Sequence, residues 1–165
     1  GHTYSKLKSM SHIINQIPST DIDSFFVVCS TIGGYIIFPS NKVDNKMTIN
    51  GSRGMNRYIR DRFDLTLECI RLHYLRENSP LSATLQRYST FFDLFQNFRG
   101  YLDFFLLQDL VTEDYSSIKF CLPFKSFDNA PLPGNVNEYL SYKNNMTNFI
   151  LARNQRISEK LRSNS

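Results

Sequence analysis

Residues 61–74 read DRFDLTLECIRLHY, and this stretch limits what the chain can fold into more than any other. At about 100° per residue, Ile59, Phe63, Leu67, Ile70 and Tyr74 share one face of a helix. Tyr58, Leu65, Cys69 and Leu72 form a second apolar face on roughly the opposite side. Arg57, Asp61, Asp64, Glu68 and Arg71 fall between the two faces, within a sector of about 80°. Arg62, Thr66 and His73 occupy the other gap. A helix covered on both sides leaves its polar stripes only a cleft or a buried network to face. Burying an unpaired carboxylate costs several kcal/mol, so the acids need partners. Arg57–Asp61 and Glu68–Arg71 are oppositely charged neighbours at i,i+4 and i,i+3. Asp64–Glu68 is a like-charged pair, which attracts a cation, a proton or an arginine from elsewhere.

With 165 residues the chain has the size of one domain, and a single domain over 1–165 is expected. Its apolar fraction of 41 %, with 14 Phe and 9 Tyr, places it among globular rather than disordered chains. A net charge of +4 permits an acidic partner without requiring one. The three cysteines, Cys29, Cys69 and Cys121, are odd in number and far apart, without zinc-ligand spacing. They read as small buried hydrophobes, which fits a reducing cytoplasm. The longest apolar runs are short and broken by polar residues or glycines, so no membrane association is expected.

Along the chain, FFVVCSTIGGYIIFPS places two β-branched and aromatic runs around Gly33-Gly34, the signal of a hairpin near 25–39. KMTIN (46–50) and IKFCLPF (118–124) read as further short strands. Helical patterns cover 4–17, ending at Pro18, and then Ser52 to about Asn78. A third carries Leu81, Leu85, Tyr88, Phe91, Phe92 and Phe95, and a fourth, 98–111, is apolar nearly all round. A last helix is capped by Asn135 or Asn137 and runs to about Arg162. The expected class is α+β: a predominantly helical domain with a small antiparallel sheet.

The stretch INGSRG (49–54) enters the charged helix. Its glycines let the backbone turn, and the free N–H groups of a helix N-terminus favour an anion. Asn50, Gly51, Ser52, Arg53, Gly54 and Arg57 are therefore the candidate ligand-binding residues, for a phosphate. The simpler alternative is that Asn50 or Ser52 only caps the helix. Asp61, Asp64, Glu68 and Arg71 are the candidate catalytic or cation-binding groups. Arg153 joins them, because it sits inside the apolar stripe Tyr139, Tyr142, Met146, Phe149, Ile150 and Ile157 and needs an acid or an exit to water. Arg99–Asp103 is a second internal pair. The sequence names neither a metal nor a cofactor. Nucleophile-elbow, zinc-protease and dinucleotide motifs do not occur, and His12 and His73 lack metal spacing.

The blocks TIGGYIIFPS, TINGSRG, DRFDLTLECIRLHY, FRGYLDFFLLQDLV and ILARNQRI resemble an uncharacterised bacterial family known only as a domain of unknown function. The likeness runs from about Ser24 to Ile157. It implies a bacterial or phage origin and further sequence before the hairpin, which would make this chain the C-terminal part of a longer protein. It implies no activity. Arg153-Asn154 is similar to the start of the motif of HEPN ribonucleases, helical toxins and phage-defence enzymes, but Gln155 to Glu159 contains no His. Two functions are thus expected in competition. One is a domain binding a nucleotide or nucleic acid, cleaving phosphodiesters in the manner of a toxin or phage-defence enzyme. The other is a non-catalytic protein-interaction or inhibitor module whose ion pairs are structural.

Overall fold

Helices carry the chain through the computed structural model, which describes residues 2–165. They are α1 (Ser11–Ile14), α2 (Ser19–Cys29), α3 (Ile49–Met55), α4 (Phe63–Tyr74), α5 (Ser82–Arg87), α6 (Ser89–Asp93), α7 (Phe98–Phe105) and α8 (Val136–Ser163). Three single 3-10 turns, Lys8–Met10, Ile32–Gly34 and Gln108–Leu110, complete the set. Among the described residues the one β feature is an isolated antiparallel bridge between Val111 and Ile118. No helix among them is long and apolar enough to cross a membrane.

The α+β expectation, with its antiparallel sheet, is therefore corrected. The first half of the supposed hairpin near 25–39 is helical because Ile22, Phe25 and Cys29 recur at the i,i+3/i+4 spacing and are all buried. That packing overrides the strand preference of Phe-Phe-Val-Val. Gly33-Gly34 lies in a 3-10 turn, and no glycine has positive φ among the described residues. Beyond it Ile36 and Phe38 are buried while Tyr35 and Ile37 are exposed, the alternation of extended chain without a partner strand. The strand expected at 46–50 fails because the Thr48 hydroxyl caps α3, accepting from the Gly51 amide at 3.2 Å. At 118–124 only Ile118 and its neighbour Lys119, whose amide donates to Leu110 O at 2.8 Å, pair across a turn.

The chain divides into two compact units. The first comprises Gly1–Ile36, Cys121–Pro123 and Leu132–Ser165. Its spine is α8, started by Asn135, whose side chain accepts from the Glu138 amide at 2.9 Å. Of the expected stripe, Tyr139, Tyr142, Met146, Phe149, Ile150 and Arg153 are buried, and Ile157 is half-buried. Phe25 of α2 meets Tyr139 and Tyr142 edge-on. The Tyr139 hydroxyl donates to Thr3 O at 2.6 Å, a bond that lets a phenol be fully buried.

The second unit comprises Ile37–Phe120 and Phe124–Pro131. Here α4 is the central helix, packed against α5 and α7. Phe63, Leu65, Leu67, Cys69, Ile70 and Leu72 are buried on both of its sides, as the two apolar faces require. The helix expected from Ser52 to Asn78 is interrupted. Asn56 ends α3 with an extended backbone, and its side chain accepts from the Tyr58 amide at 2.9 Å, a local bond that competes with helix continuation. Arg60 and Asp61 then take left-handed backbone angles before α4 begins. Residues 98–111, expected to be one central helix, instead give the short α7, which buries Tyr101 and Leu102 but exposes Phe104 and ends at the left-handed Leu106.

Candidate functional site

The interruption of the helix decides where the charges go. Arg53 projects from α3 across the turn, and its guanidinium pairs with Asp61 at 2.9 Å. The same side chain donates from Nε to Thr66 Oγ1 at 3.0 Å and from Nη2 to Asp61 O at 3.3 Å. One buried arginine thus holds both the carboxylate and the main chain of a residue whose left-handed conformation costs a non-glycine residue about 1–2 kcal/mol. Thr66 closes the arrangement by donating its hydroxyl to Arg62 O at 2.8 Å.

Arg62 and Asp64 form the most enclosed pair, 2 % and 0 % exposed. The guanidinium bonds both carboxylate oxygens, with Nε to Oδ1 at 3.0 Å, and its remaining Nη1 donates to Pro131 O at 3.0 Å. Asp64 lies in the first turn of α4, where the helix dipole also favours a negative charge. The Glu68–Arg71 pair forms as its i,i+3 spacing requires, with two bonds of 2.8 Å. Bonding to Glu68 raises the Arg71 pKa, against the opposing effect of partial burial. Asp64 and Glu68, like-charged neighbours, each have an arginine of their own.

The candidate ligand-binding residues do not form a loop. Asn50, Gly51, Ser52, Arg53 and Gly54 are all inside α3, a helix of seven residues. The Gly51 amide is taken by Thr48, Thr84 donates to the Ser52 hydroxyl at 3.1 Å, and Arg53 is committed to Asp61 and Thr66. Arg57 is exposed and lies over the Tyr58 ring at 4.7 Å. Arg153 belongs to the first unit, whereas Asp61, Asp64, Glu68 and Arg71 belong to the second. Its Nη1 donates to the carbonyls of Gly33, at 3.1 Å, and Tyr35. Asn154 accepts from the Gly33 amide at 2.7 Å and donates to Thr31 at 2.8 Å. Arg153-Asn154 therefore fastens the 31–35 turn. Arg99 stacks on Tyr115 at 4.3 Å, and Asp103 accepts the Tyr115 hydroxyl at 2.8 Å.

Among the described residues no three His, Cys, Asp or Glu side chains gather as a metal site would need. The cysteine thiols are buried, and burial pushes those of Cys29 and Cys69 up to about 12, far from nucleophilic thiolates.

Sequence reasoning passed over the far end of α4. His73 and Tyr74 there line a polar cleft together with residues of α5 and α6. Partial burial lowers the His73 pKa from 6.5, with the nearby Asp93 acting in the opposite direction. The unfolded chain therefore takes up this proton more readily than the folded one. The resulting contribution to stability is complete above pH 6.5 and is lost as the pH falls below it towards the folded value. An NMR titration is expected to place the His73 midpoint under 6.5, and His73→Gln should flatten the acid-side loss of stability. A midpoint at or above 6.5 would contradict this.

A family model described as a family of unknown function (DUF6994) matches residues 1–157. No curated protein and no solved structure matches the chain.

Proposed function

The chain belongs to the DUF6994 family, a family of unknown function that lends it no activity, and we propose that it is a non-catalytic protein-interaction module. The observation that carries this reading is a set of exposed apolar side chains in the first unit. Phe26 and Val27 on α2 are 56 % and 65 % exposed, and Ile32 and Tyr35, in and beside the 3-10 turn packed on α2, are 61 % and 58 % exposed. Large apolar side chains grouped on a surface mark contact sites, because leaving them in water forfeits their burial free energy.

The acids add support from the other unit. A general base or metal ligand must offer a lone pair to the reacting species. Asp64 has no solvent exposure, and both Glu68 oxygens are bonded to Arg71. Groups closed in this way serve packing.

The test compares the wild type with a Phe26→Glu/Ile32→Glu protein that keeps the same unfolding midpoint. A protein cross-linked to the wild type in its native cells, and not to the double variant, is the expected result. Cleavage of RNA or DNA by the purified chain that disappears in a folded Glu68→Gln variant would overturn the proposal. It would restore the phosphodiester-cleaving reading of the same residues.

A further inference from the structure

The sequence of 98–111 is apolar nearly all round, the pattern of a helix covered on every side, and α7 is not covered in that way. It buries Tyr101 and Leu102 and leaves Phe104 69 % exposed. That ring is not alone. Its centroid lies 5.0 Å from those of both Phe95 and Phe105. Phe95 and Phe105 are 5.1 Å apart, and Phe91 lies 5.3 Å from Phe95. Phe91, Phe95 and Phe105 are each half-buried. Leu94, 74 % exposed, follows Phe91 by three residues, and its amide donates to Phe91 O at 3.2 Å. In such a tight turn side chains three apart lie one above the other. Five large apolar side chains thus form one surface within the second unit.

The same rings continue inward. Tyr101, fully buried, lies 4.8 Å from Phe105 and 5.5 Å from Phe95, so the surface is held from below. Single apolar residues scattered over a surface are ordinary, whereas a contiguous group marks a contact site. Exposed polar residues, Asp93, Gln96, Asn97 and Asp103, border the group in the chain, as a polar rim borders an interface core.

We propose that this aromatic surface is the contact between two copies of the chain related by a two-fold axis. Area favours a second copy. A phenylalanine side chain buries about 150–250 Å², so the exposed parts of the five side chains sum to on the order of 400 Å². Two such surfaces face to face remove about 800 Å² of apolar area from water. At the apolar share of homodimer interfaces, about 65 %, the whole contact is about 1,200 Å², the lower end of what a specific interface needs. The surface reaches that size only if its partner brings an equal apolar area, and a second copy does. The rings also complement themselves, because a phenyl edge is positive and its face negative, and the rings here are tilted to one another by 53° and 73°. Arg99 is the one basic residue from 88 to 118, so a nucleic acid or an anionic bilayer finds little to hold it. Closed two-fold dimers are also the commonest protein assembly.

Sedimentation equilibrium of the intact chain should show the mass rising from 19.2 kDa towards twice that value, with a dissociation constant of about 10–100 μM for so small an interface. Phe104→Glu and Leu94→Glu change exposed side chains, and each should keep the wild-type unfolding midpoint and remain at 19.2 kDa. Phe26→Glu/Ile32→Glu, in the other apolar group, should dimerise like the wild type, which separates this contact from the one proposed above. Dilution of the wild type should shift amide NMR signals chiefly at residues 91–105, a readout that needs no variant. A wild-type mass of 19.2 kDa at every concentration up to several times the expected dissociation constant would overturn the proposal. So would dilution shifts gathered elsewhere, a dimer that both Phe104→Glu and Leu94→Glu leave intact, or one that Phe26→Glu/Ile32→Glu abolishes.

Discussion

Replacing Arg62 by alanine is expected to destabilise the protein by about 3–5 kcal/mol, because it takes the paired guanidinium away from the fully buried Asp64 carboxylate. In a chain of this size that corresponds to a fall of the unfolding midpoint of order 10 °C, readable by circular dichroism. A further loss accompanies it: Pro131 O forfeits its donor. Asp64→Ala leaves the reverse problem, a buried guanidinium without its carboxylate, and should cost a similar amount. The Glu68–Arg71 pair is the internal comparison. Arg71 keeps 23 % of its side chain in solvent, so Glu68→Gln should cost far less than either change at 62 or 64. Equal losses at the two pairs would mean that burial does not set the scale.

Gly34→Ala is expected to destabilise the first unit by about 1–3 kcal/mol or to prevent its folding, since overpacking forces the backbone to move. A β-carbon at Gly34 would run into the Cys29 carbonyl, an atom of the main chain that cannot rotate away. At Gly33 it would lie 2.6 Å from Ile150 O and from the Asn154 side chain that fixes the turn. Gly54→Ala supplies the contrast, because nothing lies within 4 Å of a β-carbon there and the residue is in α3. That substitution should stabilise by about 0.5–1 kcal/mol through helix propensity. Opposite signs for the same chemical change would establish that Gly33-Gly34 serves close approach and not a turn with positive φ.

The two glycines also show why the fold class escaped sequence reasoning. A Gly-Gly between β-branched runs is a hairpin signal only if the glycines supply positive φ, and here they admit a neighbouring backbone. The run before them is helical because three buried positions set the period, and periodicity outweighs propensity when both faces of a segment are not equally covered. α4 was legible because its two apolar faces left no freedom, and α8 because a long stripe follows an asparagine cap. The Glu68–Arg71 pair was legible because both residues lie on one regular helix. Arg62–Asp64 was not, since residues two apart do not face each other on a helix. Arg62 is the extended N-cap of α4, so its side chain returns over the first turn. Arg53–Asp61, eight residues apart, depends on a break that Asn56 signals only through its ability to bond its own backbone. The cleft beside His73 is assembled from three helices, and no periodicity within one of them could reveal it.

The claim that joins these results is that the enclosed arginines and carboxylates of residues 53–71 hold the second unit together. A double-mutant cycle on Arg62→Met and Asp64→Leu measures it most directly, by equilibrium unfolding in denaturant. The account predicts that the double variant is more stable than either single variant, with a coupling of at least about 1.5 kcal/mol, because apolar side chains of similar size replace both charges together. Single variants that unfold at the wild-type midpoint, with no coupling between them, would contradict it.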